Sequence, residues 1–300
     1  MNAEPFQTYW PSDLLAMPRP KWLVEPFIKE GGITELFGAF GVYKSFLACS
    51  WAAEAPGVAI YITAEGSPHD QGLSLTAWER ASEREAAVAS IPHAVNLLVD
   101  DDVNSLAATF RVFNKTPRLL VVDTLARNMA GGNENSTDDM GRFVGAIDRL
   151  RCEFKCSVCV IHHSGHEHAD RSRGSSAWAA AVDVSVKLAK TDSKAQLEAK
   201  VSCAKMRGAA KFDDRIIRLE PLHDTLVVVD AVAVDEALRR NVQEYLTGHP
   251  AASQNEVERE VHGRAGRVRT IYQEVTAKVR PVRPTPGRTP DIGASRGVCP

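Results

Sequence analysis

One short segment has the residue types and spacing to hold a polyphosphate. In ITELF-GAFGVYKS-FLACSWAAEA (33–55), Gly38, Gly41, Lys44 and Ser45 lie between an apolar strand-like run and an apolar helix-like run. A loop of this kind surrounds phosphates with backbone N–H groups and a helix N-terminus. The lysine reaches the β- and γ-phosphates, and the hydroxyl after it binds Mg²⁺. Gly38, Ala39, Phe40, Gly41, Val42, Tyr43, Lys44 and Ser45 are therefore the candidate ATP-binding segment, with ATP and Mg²⁺ as the implied ligands. One position departs from the full pattern, which has Gly immediately before the lysine where this chain has Tyr43. That tyrosine must adopt an acceptable backbone conformation and aim its ring away from the phosphates. The plain alternative is a Gly-containing strand–helix turn with a chance Lys-Ser pair.

Two acids and a histidine follow at strand ends. Asp123 closes the apolar run LLVVD, where a carboxylate beside a phosphate loop helps hold Mg²⁺. Glu65 follows VAIYITA, the strand after the phosphate-loop helix. A carboxylate there can orient, or take a proton from, the water that attacks a γ-phosphate. Each acid could instead be a simple strand-end turn residue. SVCVIHH ends in His162 and His163, and strand alternation turns only one of them toward the nucleotide. His163 is the one expected to touch the γ-phosphate and relay hydrolysis to the loop that follows; a strand-end histidine satisfied by backbone is the alternative.

These positions need a scaffold, and the hydrophobic pattern supplies one. Apolar runs recur at 33–37, 58–63, 95–99, 118–124 and 157–163, separated by helix-like segments at 45–55, 73–87, 105–115 and 138–154. Runs too continuous for a half-exposed face, alternating with helices, imply a parallel sheet covered on both sides. After residue 180 the runs 182–190, 197–206, 215–221 and 224–230 imply an antiparallel extension of that sheet. The expected organisation is an irregular lead-in (1–30) packed on the main domain, an α/β domain (31–232), a small helical module (236–279) and a disordered basic tail (280–300).

The chain has 300 residues, 44% hydrophobic and 25% charged, which is ordinary globular composition and excludes a wholly disordered or fibrous chain. No apolar run approaches the roughly 18 residues that would cross a bilayer, and no secretory leader is evident. No membrane association is expected, and the cytoplasm is the expected location. The six cysteines are read as reduced thiols. Cys152, Cys156 and Cys159 match an iron–sulfur spacing, but a helix end and an apolar strand are wrong places for a cluster. His162, His163, His166 and His168 lack the helical pairing or cysteine partner of a zinc site. The net charge of −2 hides an asymmetry: from residue 261 onward eight Lys/Arg stand against two acids, so the tail carries +6 on a body of −8. A basic end on an acidic body points to nucleic acid.

The segments GAFGVYKSFLA, YITAEG, LLVVDTLARNMAGG-ENST, VCVIHHSGH and RGSSA together resemble the RecA-like ATPases, and most closely the RepA-type helicase ATPases of plasmids and phages, a branch often named simply AAA family ATPase. The resemblance covers roughly residues 20–230. It implies a RecA-like P-loop NTPase fold and a hexameric homo-oligomeric ring with ATP between subunits. Lys44 and Ser45 match the family's P-loop, Glu65 its catalytic glutamate, Asp123 its Walker B acid and His163 its sensor. KMRG (205–208) is similar to the segment whose Lys and Arg reach a neighbour's γ-phosphate in DnaB-type ring helicases, so Lys205 and Arg207 are the candidate trans-acting pair. The segment after RGSS, where RepA-type rings carry their finger arginine, reads AWAAAVDVSVK and has none.

Two loops, 126–137 and 164–176, lie where RecA-like proteins contact DNA. The second carries Arg171 and Arg173, which could meet phosphates, although neither loop has aromatic residues for base stacking. Residues 236–277 read as three helices with a helix-turn-helix outline, in which Arg264, Arg267 and Arg269 would face DNA. A small helical cap with a solvated basic face is the alternative, and no winged hairpin follows. The combined expectation is Mg²⁺-dependent ATP hydrolysis driving translocation on, or unwinding of, DNA, with single-stranded DNA as the expected partner. A recombination-mediator ATPase and an ATP-switched DNA-binding regulator remain the alternatives.

Overall fold

The computed structural model describes residues 7–19, 21–165, 174–191, 197–261, 263 and 265–279. The chain divides into two compact units, Met1–Val232 and Ala233–Pro300.

The first unit is built on a nine-stranded sheet. A short helix α1 (Pro11–Ala16) precedes a two-stranded ribbon, β1 (Trp22–Val24) and β2 (Ile28–Lys29). There follow β3 (Ile33–Gly38), α2 (Lys44–Glu54), β4 (Ala59–Thr63), α3 (Pro68–Ser82), β5 (Val88–Ile91), α4 (Asp100–Arg111), β6 (Leu119–Asp123), α5 (Thr137–Phe154) and β7 (Ser157–His163). Helix α6 (Ser176–Ala181) then leads into β8 (Val184–Lys190), β9 (Glu198–Met206), β10 (Arg215–Leu222) and β11 (Thr225–Asp230). The strand order is β11-β10-β9-β8-β3-β7-β6-β4-β5. β8 joins β3 in parallel, as do β7, β6, β4 and β5 along the other side, and β8 to β11 pair antiparallel. This is the α/β architecture of a RecA-like P-loop NTPase, with its antiparallel extension.

Alternation along the strands explains why both faces are covered. Leu36, Tyr61, Leu119 and Val121 enter one core with α2, whereas Ile33, Ile60, Ile62, Leu120 and Val122 enter the other with α4 and α5. Serine caps set three helix starts: Ser67, Ser136 and Ser175 accept from the backbone N–H groups of His69, Asp139 and Ala177.

Two expectations are corrected. The run 95–99 is not a strand; it is a loop whose Val95 N–H donates to the buried Asn128 side chain. The edge strand is instead β5, where partial burial weakens the apolar signal. The lead-in is only partly packed: Leu23, Val24 and Ile28 are buried, but α1 buries none of its residues.

The second unit consists of α7 (Ala231–Gly248), α8 (Gln254–Glu260) and α9 (Ala265–Val279) around Leu238, Val242, Val257, Val268 and Ile271. The basic tail lies outside the described residues. Among the described residues, no helix is long and apolar enough to cross a membrane.

Candidate functional site

The C-terminal ends of β3, β4, β6 and β7 converge, which is where open α/β sheets take ligands. β3 ends at Gly38, whose Cβ, if it had one, would stand 2.2 Å from the Leu188 carbonyl oxygen. Only glycine lets the loop leave the sheet this close to β8. The loop turns through two left-handed residues, Gly41 (φ +66°) and Tyr43 (φ +67°), and α2 begins at Lys44. Tyr43 therefore adopts the conformation that glycine would take there. Its ring packs against the α2-side core and lies under the Lys190 ammonium, 5.6 Å from the ring centroid.

Lys44 is buried. Its Nζ donates to the carbonyls of Ala39 (2.8 Å) and Gly38 (3.1 Å) and to His163 Nδ1 (3.3 Å). Burial pulls the ammonium below its ordinary pKa, and Asp123 and Glu65 partly offset that. In the parallel register Gly38 is opposite His163, and the exposed Phe40 ring stacks on the imidazole at 3.9 Å. The histidine pair splits as alternation requires. His163 turns toward Lys44, and His162 turns into a buried network on the opposite face.

In that network Glu35 Oε1 accepts from Trp178 Nε1 (2.6 Å) and His162 Nδ1 (3.1 Å), and Oε2 accepts from the Ser185 hydroxyl (2.6 Å). His162 Nε2 reaches Glu134 (3.2 Å). Burial alone would lower the His162 pKa, but hydrogen bonds to Glu134 and Glu35 and the charges of both carboxylates raise it. Loop 129–136 is thereby tied to the strand that carries His163.

Asp123 is 2% exposed, and its Oδ2 accepts from the Tyr61 hydroxyl at 2.8 Å. Burial pushes its carboxyl above the usual carboxylate range. The Ser45 and Tyr61 hydroxyls and the Lys44 charge oppose that rise, and Glu65 adds to it. The Ser45 hydroxyl is thus close enough to favour the ionised carboxylate, yet Oδ1 is buried and has no hydrogen-bond partner. A buried acceptor oxygen without a donor, beside a hydroxyl at the start of α2, suits a hydrated Mg²⁺ ion, which prefers oxygen ligands and retains several waters. Glu65 lies just beyond β4, and its Oε1 accepts from the Thr124 hydroxyl at 3.0 Å. Ser45, Asp123 and Glu65 line one cavity of about 310 Å³ between α2 and α3.

A family model described as an AAA domain matches residues 3–169, more than half of the chain. The chain belongs to the AAA-domain family. Its phosphate loop is thus that of a nucleotide-binding P-loop ATPase. None of the curated proteins compared matches the chain.

The other expected residues are placed as follows. Lys205 Nζ donates to the carbonyls of Ala179 (2.6 Å) and Val182 (2.7 Å), and Arg207 pairs with Asp183 (2.9 Å), so both are engaged at the end of α6 within their own subunit. Arg267 pairs with Asp235 and Arg269 with Glu258, each through Nε at 2.9 Å. Arg171, Arg173 and Arg264, with His166 and His168, lie outside the described residues. Cys152 is exposed, while Cys156 and Cys159 are buried.

Sequence reasoning missed the residues that hold the others: Tyr61 on Asp123, Thr124 on Glu65, and the Glu35–His162–Glu134 network. A signal was present for two of them. Glu35 is a charge in the middle of a buried apolar strand, and Tyr61 carries a hydroxyl within another; both require partners.

Proposed function

We propose that this AAA-domain protein hydrolyses ATP with Mg²⁺ and uses the energy to move on or unwind DNA in plasmid or phage replication, as a ring of identical subunits. The observation that carries the hydrolytic part is the convergence of Ser45, Asp123 and Glu65 on one cavity, with the Lys44 ammonium near enough to feel both carboxylates. Gly38 to Ser45 cradle the triphosphate, with Lys44 exchanging its carbonyl contacts for phosphate oxygens. Ser45 and Asp123 would hold the metal, which when bound neutralises developing charge on the β- and γ-phosphates. Glu65, steadied by Thr124, orients the attacking water and accepts its proton. His163, between Lys44 and the loop that follows β7, reads whether the γ-phosphate is present.

The DNA and ring parts rest on the sequence resemblance, on the loops at 126–137 and 164–176 with Arg171 and Arg173, and on the basic tail. Lys205 and Arg207 serve as the trans-acting pair only if they leave their contacts on Ala179, Val182 and Asp183 when a neighbour docks. Arg264, Arg267 and Arg269 would form a second DNA contact.

The test is ATP hydrolysis by the purified protein with and without single-stranded DNA, beside Lys44→Ala. DNA-stimulated turnover that the mutant lacks supports a DNA motor. ATP binding without turnover in either condition would replace it with the nucleotide-switched regulator.

A further inference from the structure

The cavity beside Asp123 contains a second polar group that the mechanism above does not use. Gln71 sits in the first turns of α3 and is 7% exposed. One end of its amide is satisfied: Oε1 accepts from the Thr63 hydroxyl at 2.5 Å, where β4 ends. The other end, Nε2, is buried with no hydrogen-bond partner. The Cys49 thiol lines the same cavity and interacts weakly with the amide, which lowers its otherwise raised pKa, but it does not complete a hydrogen bond to Nε2. Turning the amide over would not remove the problem, because Thr63 can pair with only one end.

Asp123 Oδ1 is the matching case, a buried acceptor without a donor on the wall of the same cavity. Native interiors rarely leave such atoms unpaired, and buried waters satisfy groups of this kind where protein partners are lacking. At about 310 Å³ the cavity has room for that water and more. Gln71 is thus tied to β4 by Thr63, Asp123 is tied to β4 by Tyr61, and both residues line the same cavity.

We propose that Gln71 is a positioning residue of the metal site: its amide anchors a water that fixes the Asp123 carboxylate for a hydrated Mg²⁺ ion. This rests on the ATPase reading above. Gln71 does not touch nucleotide or metal; it acts through the water on Asp123, as partners of metal-binding carboxylates commonly do.

The experiment titrates free Mg²⁺ against binding of a fluorescent ATP analogue by the full chain, with a parallel measurement in EDTA. The variants are Gln71→Met, which keeps the volume and removes both polar ends, and Gln71→Glu, which keeps a polar group at each end. The expected result for Gln71→Met is a Mg²⁺ midpoint raised about tenfold, with affinity in EDTA within about twofold of wild type. Gln71→Glu is expected to retain a midpoint at or below that of wild type. An unchanged midpoint in Gln71→Met, or an equal loss with and without metal, overturns the proposal. If Gln71→Met does not fold, a raised midpoint in Gln71→Glu overturns it. Wild-type protein that binds no nucleotide at any Mg²⁺ concentration would overturn the ATPase reading itself.

Discussion

Lys44 Nζ stands 3.3 Å from His163 Nδ1, so a side-chain hydrogen bond joins the phosphate loop to the end of β7. The two residues are 119 apart in the chain and meet because β3 and β7 pair in parallel with Gly38 opposite His163. Because Lys44 donates, Nδ1 must be unprotonated and the ring proton must sit on Nε2. Lys44→Ala is expected to weaken ATP binding about 10–100-fold, the value of a charge-assisted hydrogen bond to phosphate. His163→Ala is expected to leave affinity within severalfold and lower turnover. Equilibrium nucleotide binding and steady-state hydrolysis on both variants check the pair. Loss of binding in His163→Ala would place the ring in ground-state recognition instead.

Glu65 and Thr124 separate the group that does chemistry from the one that aims it. Glu65→Gln is expected to keep nucleotide affinity and lose about 10²–10⁴ in turnover, the usual range for a general base. Thr124→Val leaves the carboxylate in place but unheld, and a smaller loss of about tenfold is expected, in kcat rather than KM. Single-turnover hydrolysis reads both, and an unaffected Thr124→Val would show that the 3.0 Å contact does not position Glu65.

Gly38→Ala probes the close approach of loop and sheet. The new Cβ would lie 2.2 Å from the Leu188 backbone oxygen, and backbone cannot move aside as a flexible side chain could. A destabilisation of at least about 1–3 kcal/mol is expected from such overpacking. Gly41→Ala is expected to cost about 1–2 kcal/mol, the penalty of the left-handed backbone alone, because its Cβ would meet only the Lys190 ammonium at 3.9 Å. Urea unfolding of both variants should rank them in that order.

The His162 network predicts a pH dependence. Its folded pKa is raised above the unfolded value, so its contribution to stability is complete below about pH 6.5 and is lost as pH rises through the raised value. His162→Gln cannot hold that proton. The stability difference between wild type and His162→Gln is therefore expected to shrink between about pH 6 and about pH 9. Parallel urea titrations at the two values measure it, and a difference that grows with pH would mean that the imidazole is held neutral.

Much of the site was legible in the sequence because its signals are local. The order Gly38, Gly41, Lys44, Ser45 between a strand and a helix defines a phosphate loop without reference to the rest of the chain. Glu65 and Asp123 announce themselves as acids ending buried strands. Alternation required that only one of His162 and His163 face the phosphate loop, and the contact of His163 with Lys44 shows which. Tyr43 read as a defect in the motif. The fold shows that it takes the left-handed conformation glycine would take and hides its ring under Lys190, a residue of β8 that no local pattern connects to it.

The strand at 95–99 failed for the opposite reason. Val95 and Leu97 are buried by packing in a loop pinned to Asn128, whereas Val99 is exposed, and a short apolar run does not by itself distinguish loop from strand. Lys205 and Arg207 likewise had the right types, but only the folded chain reveals their contacts with the end of α6.

The sequence by itself determined the strand and helix alternation apart from the edge strand β5, the phosphate loop and the acids at the strand ends. These depend on neighbours within a few residues, where periodicity and backbone chemistry act. The tertiary structure alone decided which groups hold those residues in place: Tyr61 on Asp123, Thr124 on Glu65, and Glu35 and Glu134 on His162. These contacts span about 30 to 130 residues of chain and exist because parallel strands distant in sequence, and the loops that leave their ends, lie side by side.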